Sequence, residues 1–383
     1  MKFVLAPDKY KGSLTGNEFC EAVSNGIRKV FPNALIIKKP LADGGDGTLE
    51  VVESYLKGSM VKMLIKDPLF RDVESAYMLS GDKKTAFVEM SEASGFKLLQ
   101  KDELNCMHTT SFGTGQMILD AIEKGAAKIV LGIGGSATND GGMGMAVALG
   151  FRFLDGEGNI LDPIGKNLIK VQEIDAKGVS GTLRNVKVRV ACDVNNPLHG
   201  PQGAAYVYGP QKGANKEEVA FLDKGLEHFA NVLQRTFSVD VQRIPGAGAA
   251  GGLGAGAVVF LNAELASGVD LVMDIAGFGN ALDNTDWIIT GEGKLDGQTS
   301  AGKTIQGVLK LAKKKGVPVA ALCGAVDVSI DEIKDMGLDY AVSIMNGPGS
   351  LEEAKANTYK NLELAGYNFA NLVKKSKEIP GQE

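Results

Sequence analysis

Both ends of this chain alternate short apolar strands with amphipathic helices, and the strands end in glycine-rich turns that carry acids or bare amides. That alternation constrains the chain to a layered α/β architecture. There are 50 glycines in 383 residues, about 13% against a usual level of roughly 7%. They cluster in a few loops without a repeat period, which excludes collagen-like and low-complexity readings. Glycine permits positive φ and close approach of backbone to a ligand. Several such loops suggest a site built from main-chain donors.

The first sixty residues read β-α-β-α. Lys2–Ala6 and Ala34–Lys38 are strands. Thr15 or Asn17 caps a helix running to about Phe31, with Phe19, Val23, Ile27 and Val30 at helical spacing. From about residue 269 the alternation returns, with strands at Leu271–Met273, Trp287–Thr290, Val317–Leu322 and Tyr340–Ile344 and a long helix from about Leu351 to Lys374. The middle differs. Met60–Ile65, Val73–Leu79 and Thr85–Met90 are joined by turn signals and read as antiparallel strands. Further on come helices near 114–124 and 216–236 and strands at Lys128–Ile133, Val186–Cys192 and Ala204–Tyr208. The expected fold is α/β: a doubly wound parallel sheet domain formed by 1–60 and 258–383, interrupted by an inserted α/β domain with a mixed sheet at 61–257.

Net charge is −5 with no basic stripe, which argues against a nucleic-acid partner. Cys20, Cys106, Cys192 and Cys323 form no CxxC pair, so neither a zinc site nor a disulfide framework is supported, and they fit a reducing compartment. The N-terminal apolar run is too short for a signal peptide, and the Gly/Ala stretch at 246–257 is too interrupted for a membrane span. The expected location is cytoplasmic. His108, His199 and His228 share no metal-ligand spacing, and no nucleophile elbow is present.

Five loops carry chemistry. Asp43 and Asp46 lie in Ala42-Asp43-Gly44-Gly45-Asp46-Gly47-Thr48, where capping and turn formation are the plain alternatives. The richest loop, Gly132 to Gly142, follows an apolar strand and offers Gly134, Gly135, Ser136, Thr138, Asn139 and Asp140. Asp193 follows the next strand. Pro245–Gly254, with Gly251 and Gly252, has no charged side chain, so it is either a close-packing element or an anion-binding nest. Glu292 and Asp296 follow the Trp287–Thr290 strand. Lys11 and Ser13 follow the first strand, with Lys11 the charge suited to an anionic substrate. Backbone amides for phosphates and hard oxygens for a divalent cation are what phosphoryl transfer needs.

Two motifs compete with that reading. Gly297–Thr304, with Lys303, satisfies G-x-x-x-x-G-K-[ST], but six residues separate it from its strand. Gly132-x-Gly134-x-x-Ala137 resembles a dinucleotide-binding loop with Asp155 downstream, the best case for an NAD-dependent oxidoreductase. A non-catalytic sugar-acid or nucleotide-binding protein is a further alternative.

Taken together, the loops resemble the glycerate kinase family in its bacterial type I form. The matching stretches are Ala6-Pro7-Asp8 through Lys11-Gly12-Ser13-Leu14, Pro40 to Thr48, Thr109 to Gly115, Ile133 to Gly142, Ala191-Cys192-Asp193-Val194 with Asn196-Pro197-Leu198, Gly209-Pro210-Gln211-Lys212-Gly213-Ala214, Pro245 to Gly254, and Gly291 to Asp296. They run in the expected order along the whole chain. The resemblance implies ATP-dependent phosphorylation of D-glycerate, at O2 to give 2-phosphoglycerate, with Mg²⁺. It implies a Rossmann/flavodoxin-like domain interrupted by a second α/β domain, with the active site in the cleft between them. Glycerate and ATP are the implied partners, and a homodimer is a compatible assembly. On this reading Gly134, Gly135, Ser136, Thr138, Gly251, Gly252 and Lys303 serve the nucleotide. Asp193, Glu292 and Asp296 serve the metal. Asp43, Asp46 and Asp193 are catalytic, and Lys11, Ser13, Asn139 and Asp140 hold the substrate.

Overall fold

The computed structural model describes residues 1–10, 12–42, 48–296 and 303–378. The chain divides into two compact units, Met1–Tyr55 with Gly268–Glu383, and Leu56–Ser267.

The first unit is built on a five-stranded sheet ordered Tyr340–Ser343, Val319–Cys323, Trp287–Thr290, Lys2–Leu5, Leu35–Lys38. Every pairing in it is parallel. A parallel sheet needs helical cover on its faces, so its central strands are apolar throughout. Phe3, Val4 and Leu5 are fully buried, as are Ala320, Ala321, Leu322 and Cys323. Thr15 caps the helix Gly16–Arg28 in a capping box with Glu18. This helix packs on Leu351–Glu378, and glycines let the two approach: a Cβ at Gly26 would lie 2.2 Å from the Glu363 carbonyl oxygen. The core holds Phe19, Val23, Ile27, Leu362 and Phe369, with Trp287 edge-on to Phe369 at 5.0 Å.

Strand order sets the functional edge. The chain leaves Lys2–Leu5 toward Leu35–Lys38 on one side and places the three later strands of this sheet on the other. The order therefore reverses between Lys2–Leu5 and Trp287–Thr290, and ligands of open α/β sheets bind beyond the C-terminal ends at such a point. The expected strand at Leu271–Met273 is instead part of the helix Gly268–Ile275. A three-residue apolar run does not distinguish the two periods; here Val269, Val272 and Met273 are buried at helical spacing.

The second unit carries a six-stranded sheet ordered Glu264–Ala266, Lys187–Ala191, Lys128–Gly132, Thr85–Glu89, Asp72–Leu79, Ser59–Lys66. The first four strands are mutually parallel, and the last three pair antiparallel as the turn signals at 67–68 and 80–82 predict. Ala204–Tyr208, expected as a strand, is a short helix. Its buried residues, Ala204 and Ala205, are adjacent rather than alternating, which a half-buried strand does not allow. An aromatic cluster of Phe151, Phe153, Phe229 and Phe260 fills the core beneath it.

Candidate functional site

In the second unit the strand Lys128–Gly132 is flanked in register by its two neighbours, Glu89 beside Gly132 and Gly132 beside Ala191. Three C-terminal strand ends therefore stand side by side. The Gly132–Gly142 loop rises from the middle one. Gly134 and Gly135 are exposed, and Gly135 takes φ +69°, open to glycine at little cost. A Cβ at Gly134 would meet no atom within 4 Å. The main-chain N–H groups of Gly134 and Gly135 donate no hydrogen bond to any described residue.

The rest of the loop is buried and held from below. Asp140 is fully buried. Its Oδ2 accepts from the Ser111 N–H at 2.7 Å, Ser111 Oγ at 2.8 Å and the Gly144 N–H at 3.1 Å, and its Oδ1 accepts from the Gly142 N–H at 3.1 Å. Burial raises its carboxyl pKa above the usual carboxylate value, and these donors offset only part of that rise. Both oxygens are thus taken up inside the fold. Thr138 and Asn139 are also fully buried, but Thr138 Oγ1 and both polar atoms of the Asn139 side chain have no partner among the described residues. Buried polar atoms without partners are costly and mark places where a ligand or water completes the set.

Lys212 reaches the same loop. It is only 6% exposed, and its Nζ donates to Ser136 Oγ and to the Thr138 carbonyl, both at 2.7 Å. Two of its three N–H groups are accounted for. Burial pulls its pKa down to about 8, with Cys106 and Asp140 acting in the opposite direction. Lys212 stands in the short turn Pro210–Lys212 that precedes the helix Lys216–Phe237. The sequence shows the motif around it but not that the side chain is buried.

Gly251 and Gly252 belong to this scaffold. With Ala250 they take left-handed φ inside the helix Ala249–Leu261. A Cβ on Gly251 would lie 2.0 Å from the Thr138 carbonyl oxygen, and the Gly141 N–H donates to the Gly251 carbonyl at 3.0 Å. Of the two alternatives for Pro245–Gly254, the contacts show close packing under the loop. Asp193 is exposed, two residues past Ala191. Asp155 is spent within its own turn, accepting from the Glu157 and Asn159 N–H groups at 2.9 Å. The helix a dinucleotide fingerprint requires at Ala137 is missing; the next one opens at Met143.

The first unit brings a second set of groups to the point where its strand order reverses. Asp8, past the first strand, donates its N–H to the Gly291 carbonyl at 2.9 Å. Its Oδ1 accepts from the Lys9 N–H at 2.7 Å and its Oδ2 from Thr304 Oγ1 at 2.6 Å. Glu292 lies near Tyr10 and Cys323, and its charge adds to the burial that lifts both of their pKa values, the thiol to about 12. Asp296 sits on the short strand Lys294–Asp296 paired with Ala325–Asp327, its carboxylate 3.7 Å from Lys294 Nζ. Ser13 Oγ donates to the Lys355 carbonyl at 3.0 Å and lines a groove of about 490 Å³ with Lys9, Asn17, Pro40 and Glu50. Lys303 opens the helix Lys303–Lys315. Lys11, Asp43 and Asp46 lie outside the described residues, as do Gly297–Gly302. Asp140 and Asp193 thus stand in one unit, Glu292 and Asp296 in the other. The residues that sequence reasoning passed over are Asp8, Glu89 and Lys212. For the two acids the available signal was position at the end of an apolar strand.

Among the described residues, no group of three or more His, Cys, Asp or Glu stands ready to hold a metal, and no helix is long and apolar enough to cross a membrane.

Fold and site define an α/β enzyme that presents unpaired amides and a buried ammonium beyond the end of a parallel strand. The sequence model of the glycerate kinase family matches residues 3–374. A glycerate kinase from Bacillus cereus is 42% identical over 378 residues, covering 99% of both chains. A glycerate 2-kinase from Escherichia coli is 42% identical over 370 residues, covering 97% of both. The crystal structure of a protein described as putative glycerate kinase 2 from Salmonella typhimurium LT2 superposes with a TM-score of 0.84 at 40% identity, covering 99% of this chain and 100% of that one. The chain belongs to the glycerate kinase family, phosphotransferases with an alcohol group as acceptor.

Proposed function

We propose that the chain transfers the γ-phosphoryl group of ATP to the 2-hydroxyl of D-glycerate, giving 2-phosphoglycerate, with Mg²⁺ as the accompanying cation. The observation that carries this reading is the pair of exposed amides at Gly134 and Gly135, unpaired among the described residues, on the loop that the buried ammonium of Lys212 braces. Such amides bind phosphate oxygens without desolvating a side chain. The name of the Escherichia coli relative, glycerate 2-kinase, supports the position of transfer.

In this reading the loop from Gly134 to Thr138 holds the nucleotide phosphates. Lys212 fixes the loop through Ser136 and the Thr138 carbonyl and sets a positive potential beneath it. The unpartnered Asn139 amide and Thr138 hydroxyl complete their hydrogen bonds on bound ligand or water. Asp140, Gly251 and Gly252 act through the shape of the loop. Asp193, Glu292 and Asp296 are the carboxylates assigned to Mg²⁺, which when bound would draw charge from the phosphate oxygens. Asp43 or Asp46 takes the proton from the glycerate hydroxyl as its oxygen bonds to phosphorus and the bond to the ADP oxygen breaks. Lys11 and Ser13 pair with the glycerate carboxylate, and Lys303 is assigned to the nucleotide phosphates.

Incubation with ATP, Mg²⁺ and D-glycerate is expected to release ADP, and chelation with EDTA to abolish the release. The ³¹P spectrum of the product is expected to be a doublet, because phosphorus on O2 couples to a single carbon-bound proton. A triplet would place the phosphate on O3. No ADP release would remove the proposed reaction.

A further inference from the structure

Glu89 is an acid at the functional edge to which the reading above gives no role. It ends the strand Thr85–Glu89 in register with Gly132, and Gly132 is in register with Ala191, two residues before Asp193. Adjacent strands lie about 4.8 Å apart, so Glu89 and Asp193 flank the root of the loop from opposite sides. A Cβ at Gly132 would lie 3.6 Å from both Cδ and Oε1 of Glu89. The carboxylate thus stands against the first residue of the loop, partly shielded from water. Among the described residues it makes no hydrogen bond and no ion pair. The charges of Glu92 and Lys97 act on it in opposite directions, and the Lys97 ammonium is already bonded to Glu92.

A partly buried carboxylate, unpaired among the described residues, at the root of a loop that carries two such amides is a contradiction for an anion alone. The amides attract phosphate and the carboxylate repels it. A divalent cation bridging carboxylate and phosphate oxygens resolves the contradiction, and Mg²⁺ is commonly held by one or two carboxylates plus phosphate. We propose that Glu89 is a ligand, directly or through one water, of the divalent cation that accompanies the nucleotide phosphates. This assignment rests on the phosphate-binding reading of the Gly132–Gly142 loop.

Binding of Mn²⁺ to the full chain with ADP, followed by the electron paramagnetic resonance of free Mn²⁺, tests it without turnover. Glu89→Gln is expected to weaken Mn²⁺ in the ternary complex on the order of tenfold or more. Affinity for ADP without metal should stay level or improve, since a repelling charge is gone. Glu89→Asp keeps the charge and should fall between wild type and Gln, while Glu92→Gln should leave Mn²⁺ affinity unchanged. Wild-type Mn²⁺ affinity in folded Glu89→Gln, or equal losses in the Asp and Gln variants, overturns the assignment. A wild-type chain that holds no Mn²⁺ with ADP overturns the proposed function itself.

Discussion

Replacing Lys212 by methionine is expected to lower kcat/KM for the nucleotide by about 10²-fold, the usual scale for removing one preorganised electrostatic group. The side chain is 6% exposed and bonded to Ser136 and the Thr138 carbonyl, so its loss takes both the charge and the brace from the loop. The pH profile separates this from a general defect. Burial lowers the Lys212 pKa to about 8. In the wild type the ammonium is present below that value and lost above it, so kcat/KM, which reports the free enzyme, should fall as pH rises through about 8. The methionine variant should lack that alkaline limb. Stability moves the other way. Between about 8 and the ordinary lysine value of 10.5 the unfolded chain binds the extra proton, so this group's contribution to stability rises with pH across that window. That gain should also vanish in the variant. An unchanged alkaline limb would show that another group titrates there.

The second large effect is on stability. Gly251→Ala is expected to cost about 3–5 kcal/mol, the range of backbone strain combined with a core clash. At φ +69° an alanine is strained, and its Cβ would lie 2.0 Å from the Thr138 carbonyl oxygen and 2.6 Å from Asn139 Cα. No side-chain rotation relieves a contact with backbone. The apparent Tm should fall by about 10 °C, and the Gly132–Gly142 loop should be displaced with it. Gly181→Ala in the same unit is the comparison: a Cβ there meets no atom within 4 Å, and its Tm should move by a degree or two at most. Equal melting of the two variants would contradict the packing role of Gly251.

The doubly wound sheet was legible because its strands are short continuous apolar runs bounded by turns. Trp287–Thr290 has the expected bounds, and Lys2–Leu5 and Leu35–Lys38 differ from expectation by one residue each. Leu271–Met273 and Ala204–Tyr208 misled for one reason: short apolar segments carry no period, and only the tertiary partner decides their form. The loop at Gly132–Gly142 stood out because glycines and acids gathered behind an apolar strand. Its internal division of labour did not. Asp140 looks like a ligand in sequence, yet two of its four hydrogen bonds hold the start of the helix Met143–Ala148 and the other two hold Ser111 at the start of the helix Phe112–Glu123. Lys212 looks like a turn lysine, yet the fold folds it beneath Ser136 and Thr138, more than seventy residues away along the chain. Burial and long-range pairing are properties of the fold, and local pattern does not encode them. Glu89 lay in view at a strand end and needed the register with Gly132 to acquire meaning.

The most direct measurement is a crystal structure of the chain bound to Mg²⁺ and a non-hydrolysable ATP analogue. The account places terminal phosphate oxygens within hydrogen-bonding distance of the Gly134 and Gly135 amides, with Lys212 still bonded to Ser136 beneath them. Phosphates bound away from this loop, with both amides still unpaired, would contradict it.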